Sequence, residues 1–334
     1  MTKQPLFSTI LDTYYRPDYL RYAVSRLRAQ THERQEIILV NNAGTPETVE
    51  ALGELKASDS RIKIVEFTEN QFSYDDPLMM LDTCLNAGLK AATGDFVWYQ
   101  ADDDFIAEDY AERMIKLFEE RPECITAAGL PVCVDGSGKI VQEKRTSNFR
   151  PRFMDGKDLA LAILRGDRSK FDAAGTIFTI RREALLNAGG YHRSLEVSQL
   201  YGILPFGMTG FDEKAEFYWR RHEGQLNTTL TAIGQLGIRE MYSLIDEWRL
   251  EDRWRVFGAE VASEVIGRLR DSPCRAAGIW TLDNATRFRF KAAWRILSVM
   301  WANPKYWWNV LIHVKLIARR RAAEAYHAIG RKAG

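Results

Sequence analysis

Residues 94–109 read GDFVWYQADDDFIAED, an apolar run that stops at three consecutive aspartates before a helical pattern begins. Phe96, Val97, Trp98 and Tyr99 have the aromatic and β-branched character of a short strand covered on both faces. Asp102, Asp103 and Asp104 follow directly. In an open α/β sheet the carboxyl end of a strand faces the rim where ligands bind. Adjacent carboxylates repel unless a cation or hydrogen-bond donors neutralise them. A hard divalent ion shared between carboxylates and substrate phosphates meets that need. The competing reading is an Asx-rich cap on the helix expected from about Ala107 to Glu120.

Outward from this stretch the chain alternates. LFSTIL (6–11), EIILV (36–40) and IKIVEF (62–67) read as strands. Helices are expected from Pro17, with Leu20, Val24 and Leu27 at helical spacing, and over 46–57 and 77–92. Such alternation predicts an α/β protein with a mostly parallel sheet and helices on both faces. Downstream, 125–134 reads as a further strand, VDGSGKI (134–140) as a hairpin turn, and mixed strand directions are expected there. Two polar turns, TYYRP (13–17) and NNAGT (41–45), fall on the rim of the aspartates. There the Thr13 hydroxyl and the Asn42 amide suit the base and ribose of a nucleotide, and Arg16 suits phosphate. Each turn alone reads more simply as a helix cap or Asx turn. GxGxxG and Walker loops are missing, so neither dinucleotide nor P-loop binding is supported.

The 334 residues are 46% hydrophobic, enough for a large core. A net charge of +1 hides an asymmetry, because from Asn284 onward the chain carries 11 Lys and Arg against the single acid Glu324. Cys84, Cys124, Cys133 and Cys274 have no CxxC pairing, which points to a reducing compartment rather than disulfides or zinc. MTKQPLFSTILDTYYRP lacks the pattern of a secretory leader, and no stretch reaches the roughly 18 apolar residues of a membrane span. A cytoplasmic location is expected. Beyond residue 235 helical patterns replace the alternation. The final stretch interleaves Trp294, Trp301, Trp307 and Trp308 with Arg295, Lys305, Lys315 and Arg319 to Arg321. That composition predicts peripheral contact with the inner face of the cytoplasmic membrane; a homo-oligomer contact or core helices with solvated arginines are the alternatives. Nucleic acid is not an expected partner, since no binding module is recognisable.

The order TYYRP, ILVNNAGT, LNAGLKAATGDFVWYQADDD resembles the inverting family 2 glycosyltransferases of the GT-A fold, whose pattern runs T-Y-N-R, strand-D-x-S, N-x-G-x-x-x-A-x-G-D, strand, DxD. The resemblance implies a Rossmann-like GT-A domain over residues 1–235 and a helical region over 236–334. It implies that Thr13, Tyr15 and Asn42 line the base and ribose pocket of a nucleotide-sugar donor and that Asp102 reaches the ribose. Asp103, with Asp104 as second candidate, would hold Mg²⁺ or Mn²⁺ on the diphosphate. Three positions depart from the pattern: Tyr15 replaces Asn, Asn42 replaces the Asp that grips the base, and Leu85 replaces a common Arg. GTIFTIRREALLNAGGYH (175–192) is similar to the family's acceptor-side segment. YWRRHEGQLN (218–227) resembles its Tyr-Arg-x-His segment, which puts His222 on the metal or diphosphate and Arg220 and Arg221 beside the leaving group.

The catalytic base must be a carboxylate within reach of the acceptor hydroxyl. Glu196, six residues after Gly190 and 26 before His222, has the family's spacing, although Val197 stands where a second acid is usual. Asp212 and Glu213 are the alternatives, and otherwise match a loop before an edge strand. The implied activity is metal-dependent, inverting hexosyl transfer to a glycan or lipid-linked acceptor in cell-surface polysaccharide synthesis. One rival is a degenerate glycosyltransferase-like module acting through its helical tail, suggested by Asn42, Leu85 and Val197. The other, a sugar-phosphate nucleotidyltransferase, needs a glycine-rich basic loop that DTYYRPDYL lacks.

Overall fold

Strand residues alternate between faces, and the first two strands use both faces for core. In the computed structural model, which describes residues 4–74, 76–141, 152–167, 178–192, 200–225 and 238–315, β1 is Phe7–Thr13 and β2 is Gln35–Asn42. Phe7, Leu11, Ile37 and Leu39 pack with α1 (Pro17–Arg28), α2 (Pro46–Ser58) and α4 (Tyr110–Glu120) in one apolar cluster. On the other face Ile10 and Val40 meet α3 (Met79–Ala91) at Gly88. A Cβ there would lie 2.4 Å from Ile10 Cγ2, so the close approach of helix to sheet needs glycine.

β3 (Ile62–Phe67), β2, β1 and β4 (Phe96–Ala101) are parallel neighbours, and Asp12 pairs with both Val40 and Ala101. The register therefore brings Thr13, Asn42 and the residues after Ala101 to one rim. β8 (Phe178–Arg181) then pairs antiparallel with β4 on one side and with β6 (Cys124–Asp135) on the other, and β6 pairs parallel with β9 (Met208–Arg221). Two reversals cancel, so β6 and β9 run in the direction of β1 and end on the same rim. β5 (Phe105–Ile106) and β7 (Phe153–Asp155) pair antiparallel with β9. The mixed sheet flanked by helices is the expected GT-A-like α/β architecture.

Some boundaries move for local reasons. The helix expected from Ala107 begins at Tyr110, because Phe105 and Ile106 are drawn into pairing with Tyr218 and Phe217. The turn after Val134 is present: Asp135 N donates to Lys139 O at 2.8 Å and Val134 bridges Ile140. Asp212 and Glu213 do not lie in a loop before an edge strand. They sit within β9, which is paired on both sides, at an irregularity where residues 212–215 face Gly129.

The chain packs as two compact units, residues 1–223 with 243–266, and residues 224–242 with 267–334. The expected division after residue 235 falls outside the described residues. α5 (Gly156–Arg165) and α6 (Arg182–Ala188) belong to the first unit, and α7 (Ile238–Glu247) contributes its second half to it. Residues 250–254, forming α8 (Leu250–Trp254), are fastened there as well. Trp254 Nε1 donates to Tyr201 O at 2.8 Å and Arg253 donates to Gly202 O at 2.8 Å and Ala188 O at 3.0 Å. Helix α9 (Ala259–Asp271) follows. The second unit contains α10 (Pro273–Thr286), α11 (Phe290–Met300) and a helical stretch over 304–315, around a core of Cys274, Ala277, Ile296, Met300 and Tyr306. Among the described residues no helix is long and apolar enough to cross a membrane, and the four cysteines are buried and unpaired.

Candidate active site

Where β4 ends, three aspartates leave the sheet in one turn; Asp102 and Asp103 share Arg16, and Asp104 goes to a separate partner. Asp102 is 1% exposed; its Oδ2 accepts the Thr13 Oγ1 hydrogen at 2.8 Å, and Arg16 Nη2 approaches its Oδ1 at 2.5 Å. That approach is an ion pair without hydrogen-bond alignment, since among the described residues Asp102 Oδ1 has no hydrogen-bond partner. Arg16 Nη1 pairs with Asp103 Oδ2, which also lies 2.8 Å from His222 Nε2. Asp104 turns the other way: its Oδ1 accepts Arg220 N at 2.9 Å, and its carbonyl accepts Gln100 Nε2 at 3.0 Å. A buried turn of like charges is thus held by donors from β1, the β1–α1 turn and β9.

Burial pushes the Asp102 carboxyl up to about 7; Arg16 opposes the shift, while Asp103 and Asp12 add to it. Asp12, at the end of β1, is raised for the same first reason, with Arg16 again opposing. Arg16 is held more firmly protonated than usual. Burial works against its charge, but Asp102 and Asp103 outweigh it. The rim is therefore a carboxylate cluster with one guanidinium as its counter-ion.

Asp103 and His222 are the pair positioned to ligate a cation. A carboxylate oxygen and an imidazole nitrogen meeting at 2.8 Å are donors that Mg²⁺ or Mn²⁺ accepts, and a guanidinium on the same oxygen shows that the position suits positive charge. Among the described residues no three His, Cys, Asp or Glu side chains are grouped to hold a metal. Further ligands for a cation here would be substrate oxygens and water.

Thr13, Arg16, Asp102, Asp103 and His222 come together as a contact network. Tyr15 is exposed beside it, its ring 5.5 Å from the Arg16 guanidinium. Asn42 is buried on the neighbouring strand, its Oδ1 accepting Gln71 N at 2.8 Å. Glu196 lies outside the described residues. Asp212 is eight residues before Arg220 on β9, on the order of 25 Å along an extended strand, and pairs with Arg113 at 3.5 Å. Arg220 is not on the open rim. It is 3% exposed, donates from Nε to Asp103 O at 2.7 Å and from Nη1 to Gly136 O at 2.9 Å, and stacks over the Tyr19 ring at 4.7 Å. Its expected place beside a leaving group gives way to that of an anchor, because its fork is already engaged.

Two contributors went unread in the sequence. Asp12 joins the cluster, and its signal is a lone carboxylate ending an apolar strand. Asn86, on α3, clamps the Gly-Gly segment: its Nδ2 donates to Tyr191 O and its Oδ1 accepts Tyr191 N, both at 2.8 Å. Gly190, with φ +86°, brings its backbone so close that a Cβ would lie 2.4 Å from Asn86 Oδ1.

The fold and its acidic rim define a GT-A-like protein. The chain belongs to glycosyltransferase family 2, whose sequence profile, Glycosyl transferase family 2, matches residues 8–187. It is 30% identical over 167 residues to an uncharacterized glycosyltransferase of Haemophilus influenzae, covering 49% of each chain. To TuaG of Bacillus subtilis, provisionally a teichuronic acid biosynthesis glycosyltransferase, it is 28% identical over 118 residues, 35% of this chain and 44% of that one. The chain thus spans about half the length, or less, of these curated relatives. Among solved structures it is similar to S. aureus TarS 1–349 in complex with UDP-GlcNAc, with TM-score 0.58, 15% identity and coverage of 91% of this chain and 89% of that one. It is also similar to the mannosyltransferase PcManGT of Pyrobaculum calidifontis in complex with GDP-Man and Mn²⁺, with TM-score 0.50, 16% identity and coverage of 92% and 84%.

Proposed function

We propose that this glycosyltransferase is a metal-dependent, inverting hexosyltransferase that moves a sugar from a nucleotide-sugar donor to a hydroxyl of a glycan or lipid-linked glycan in bacterial cell-surface polysaccharide synthesis. The observation that carries the reading is the meeting of Asp103 and His222, 119 residues apart in sequence, on a rim that also bears Thr13, Arg16 and Asp102. Complexes of UDP-GlcNAc with TarS and of GDP-Man and Mn²⁺ with PcManGT support a nucleotide-sugar donor and a divalent ion. Thr13, Tyr15, Asn42 and Asp102 would hold base and ribose, and Arg16 phosphate. Asp103 and His222, with Asp104 as reserve, would hold the cation, which when bound supplies Lewis-acid neutralisation of the departing diphosphate. Glu196 takes the acceptor proton. The acceptor oxygen then bonds to the anomeric carbon from the face opposite the leaving nucleoside diphosphate, and the configuration inverts.

A membrane-facing role for the second unit fits the same reading. Phe290, Trp294 and Trp301 recur on one line of α11 and its end, and Trp308, Leu311 and Ile312 on one line of the following helix, all exposed. Residues 284–315 hold six Lys and Arg and no acid. Aromatics and cations in that proportion suit the headgroup region of an anionic bilayer at the cytoplasmic face.

A thermal-shift panel of nucleoside diphosphates and nucleotide sugars, each with and without Mn²⁺, tests the donor site, since a ligand of the native state raises Tm by mass action. A Mn²⁺-dependent shift with one nucleotide is expected. No shift with any of them would shift the weight to a non-catalytic module.

A further inference from the structure

We propose that Arg16 is an internal counter-ion that occupies the cation position between Asp102, Asp103 and His222 before the donor arrives, and yields it to the divalent ion when the donor's diphosphate draws the guanidinium away. The inference rests on the metal-dependent reading above and adds an order to it. Divalent ion and diphosphate bind cooperatively because one residue blocks the first and is moved by the second.

Geometry puts the two cations in competition. Arg16 Nη1 pairs with Asp103 Oδ2 and lies 3.3 Å from His222 Nε2, the same two atoms that would ligate the ion, while Nη2 reaches Asp102 Oδ1 at 2.5 Å. A divalent ion binds carboxylate oxygen at about 2.0–2.1 Å. It cannot share both ligands with a guanidinium in that place, and the two positive charges repel.

The pair also lacks the features of a permanent structural bridge. Buried ion pairs persist when the remaining donors and acceptors are satisfied. Among the described residues Arg16 Nε is buried with no hydrogen-bond partner, and Asp102 Oδ1 accepts no hydrogen bond despite the close guanidinium. A phosphate oxygen would satisfy the orphaned Nε–H, because a guanidinium offers adjacent N–H groups in the fork that phosphate matches.

Mn²⁺ binding to the 334-residue chain, followed by the electron paramagnetic resonance of free Mn²⁺, tests the handover in wild type, Arg16→Gln, Arg16→Lys and Asp103→Asn, each with and without UDP or GDP. Without nucleotide, Arg16→Gln should bind Mn²⁺ roughly tenfold tighter than wild type, since the competent site is no longer blocked. Arg16→Lys, which keeps a charge but loses the fork, should fall between them and carries the test if Arg16→Gln does not fold. Nucleotide should tighten Mn²⁺ less in the variants than in wild type, and by reciprocity Mn²⁺ should tighten nucleotide less. Mn²⁺ should also raise the Tm of Arg16→Gln more than that of wild type. Unchanged or weaker Mn²⁺ affinity in the folded variants, beside Mn²⁺-dependent nucleotide binding in wild type, overturns the handover alone. No Mn²⁺ binding by any protein under any condition overturns both the handover and the metal-dependent reading.

Discussion

Replacing Arg220 by Met separates an anchor from a diphosphate-neutralising arginine. Three hydrogen bonds vanish, from Nε to Asp103 O at 2.7 Å and from Nη1 to Gly136 O at 2.9 Å and Asp135 O at 3.5 Å; Gly136 O keeps the Tyr19 hydroxyl at 3.3 Å, whereas the buried Asp103 carbonyl loses this donor. Leaving the buried Asp103 carbonyl unsatisfied costs about 1–3 kcal/mol. Lost stacking over Tyr19, at 4.7 Å, adds about 0.5–1 kcal/mol, and the Met side chain restores part of the packing. The bond from Arg220 N to Asp104 Oδ1 survives, because it is made by the main chain. A net loss of about 2–3 kcal/mol follows, roughly a 7 °C fall in Tm for a unit of this size. Differential scanning calorimetry reads the first, and Mn²⁺-dependent nucleotide binding should weaken with it as the Asp103 backbone loosens. Arg220→Lys, with one donor cluster and no fork, should fall between. A Tm within about 2 °C of wild type, together with lost turnover, would refute the anchor and return Arg220 to the leaving group.

Asp103→Asn should abolish Mn²⁺-dependent donor binding, whereas Glu196→Gln should leave binding largely intact and cut turnover by about a hundredfold or more; turnover retained in Glu196→Gln would place the base elsewhere. At the opposite end of the strands, burial disfavours the Glu36 carboxylate, but donors from Lys63, Ser8 and Thr93 outweigh it and hold its pKa below the usual glutamate value of 4.5. Its contribution is therefore present above pH 4.5 and lost as pH falls through the lower folded value. Glu36→Gln should lower Tm at pH 7 and flatten the acid limb of Tm against pH, and an unchanged acid limb would show that this network carries no linkage. For the second unit, Trp294→Glu with Trp308→Glu should reduce sedimentation with anionic liposomes by about tenfold or more without changing Tm. Deleting everything after residue 284 is a poorer test, because it removes Ile296, Met300 and Tyr306 from that unit's core. Wild-type liposome binding by the double variant, or a change in oligomeric state instead, would refute membrane contact.

The alternation of strands and helices, the turns after β1 and β2, and the three aspartates after β4 were legible in the sequence because each is a local pattern: apolar period, turn residue, then charge. The resemblance to family 2 glycosyltransferases rested on the same stretches in order. What the tertiary structure decided is what lies far apart along the chain. Arg16 and His222 are 206 residues apart, and Asp103 and His222 are 119 apart. They meet because the antiparallel β8 reverses direction between β4 and β6, so that β9 ends on the rim where β1 and β4 end. Nothing in the period of β9 encodes that reversal. The same holds for Arg220 and Arg221, two adjacent arginines alike as a pattern. Strand alternation sends Arg220 inward against Asp103 and Tyr19 and leaves Arg221 exposed against Trp219. Residue chemistry and local order came from the sequence, while pairing partners and burial, which set whether a charge binds substrate or holds the fold, came from the direction of the strands.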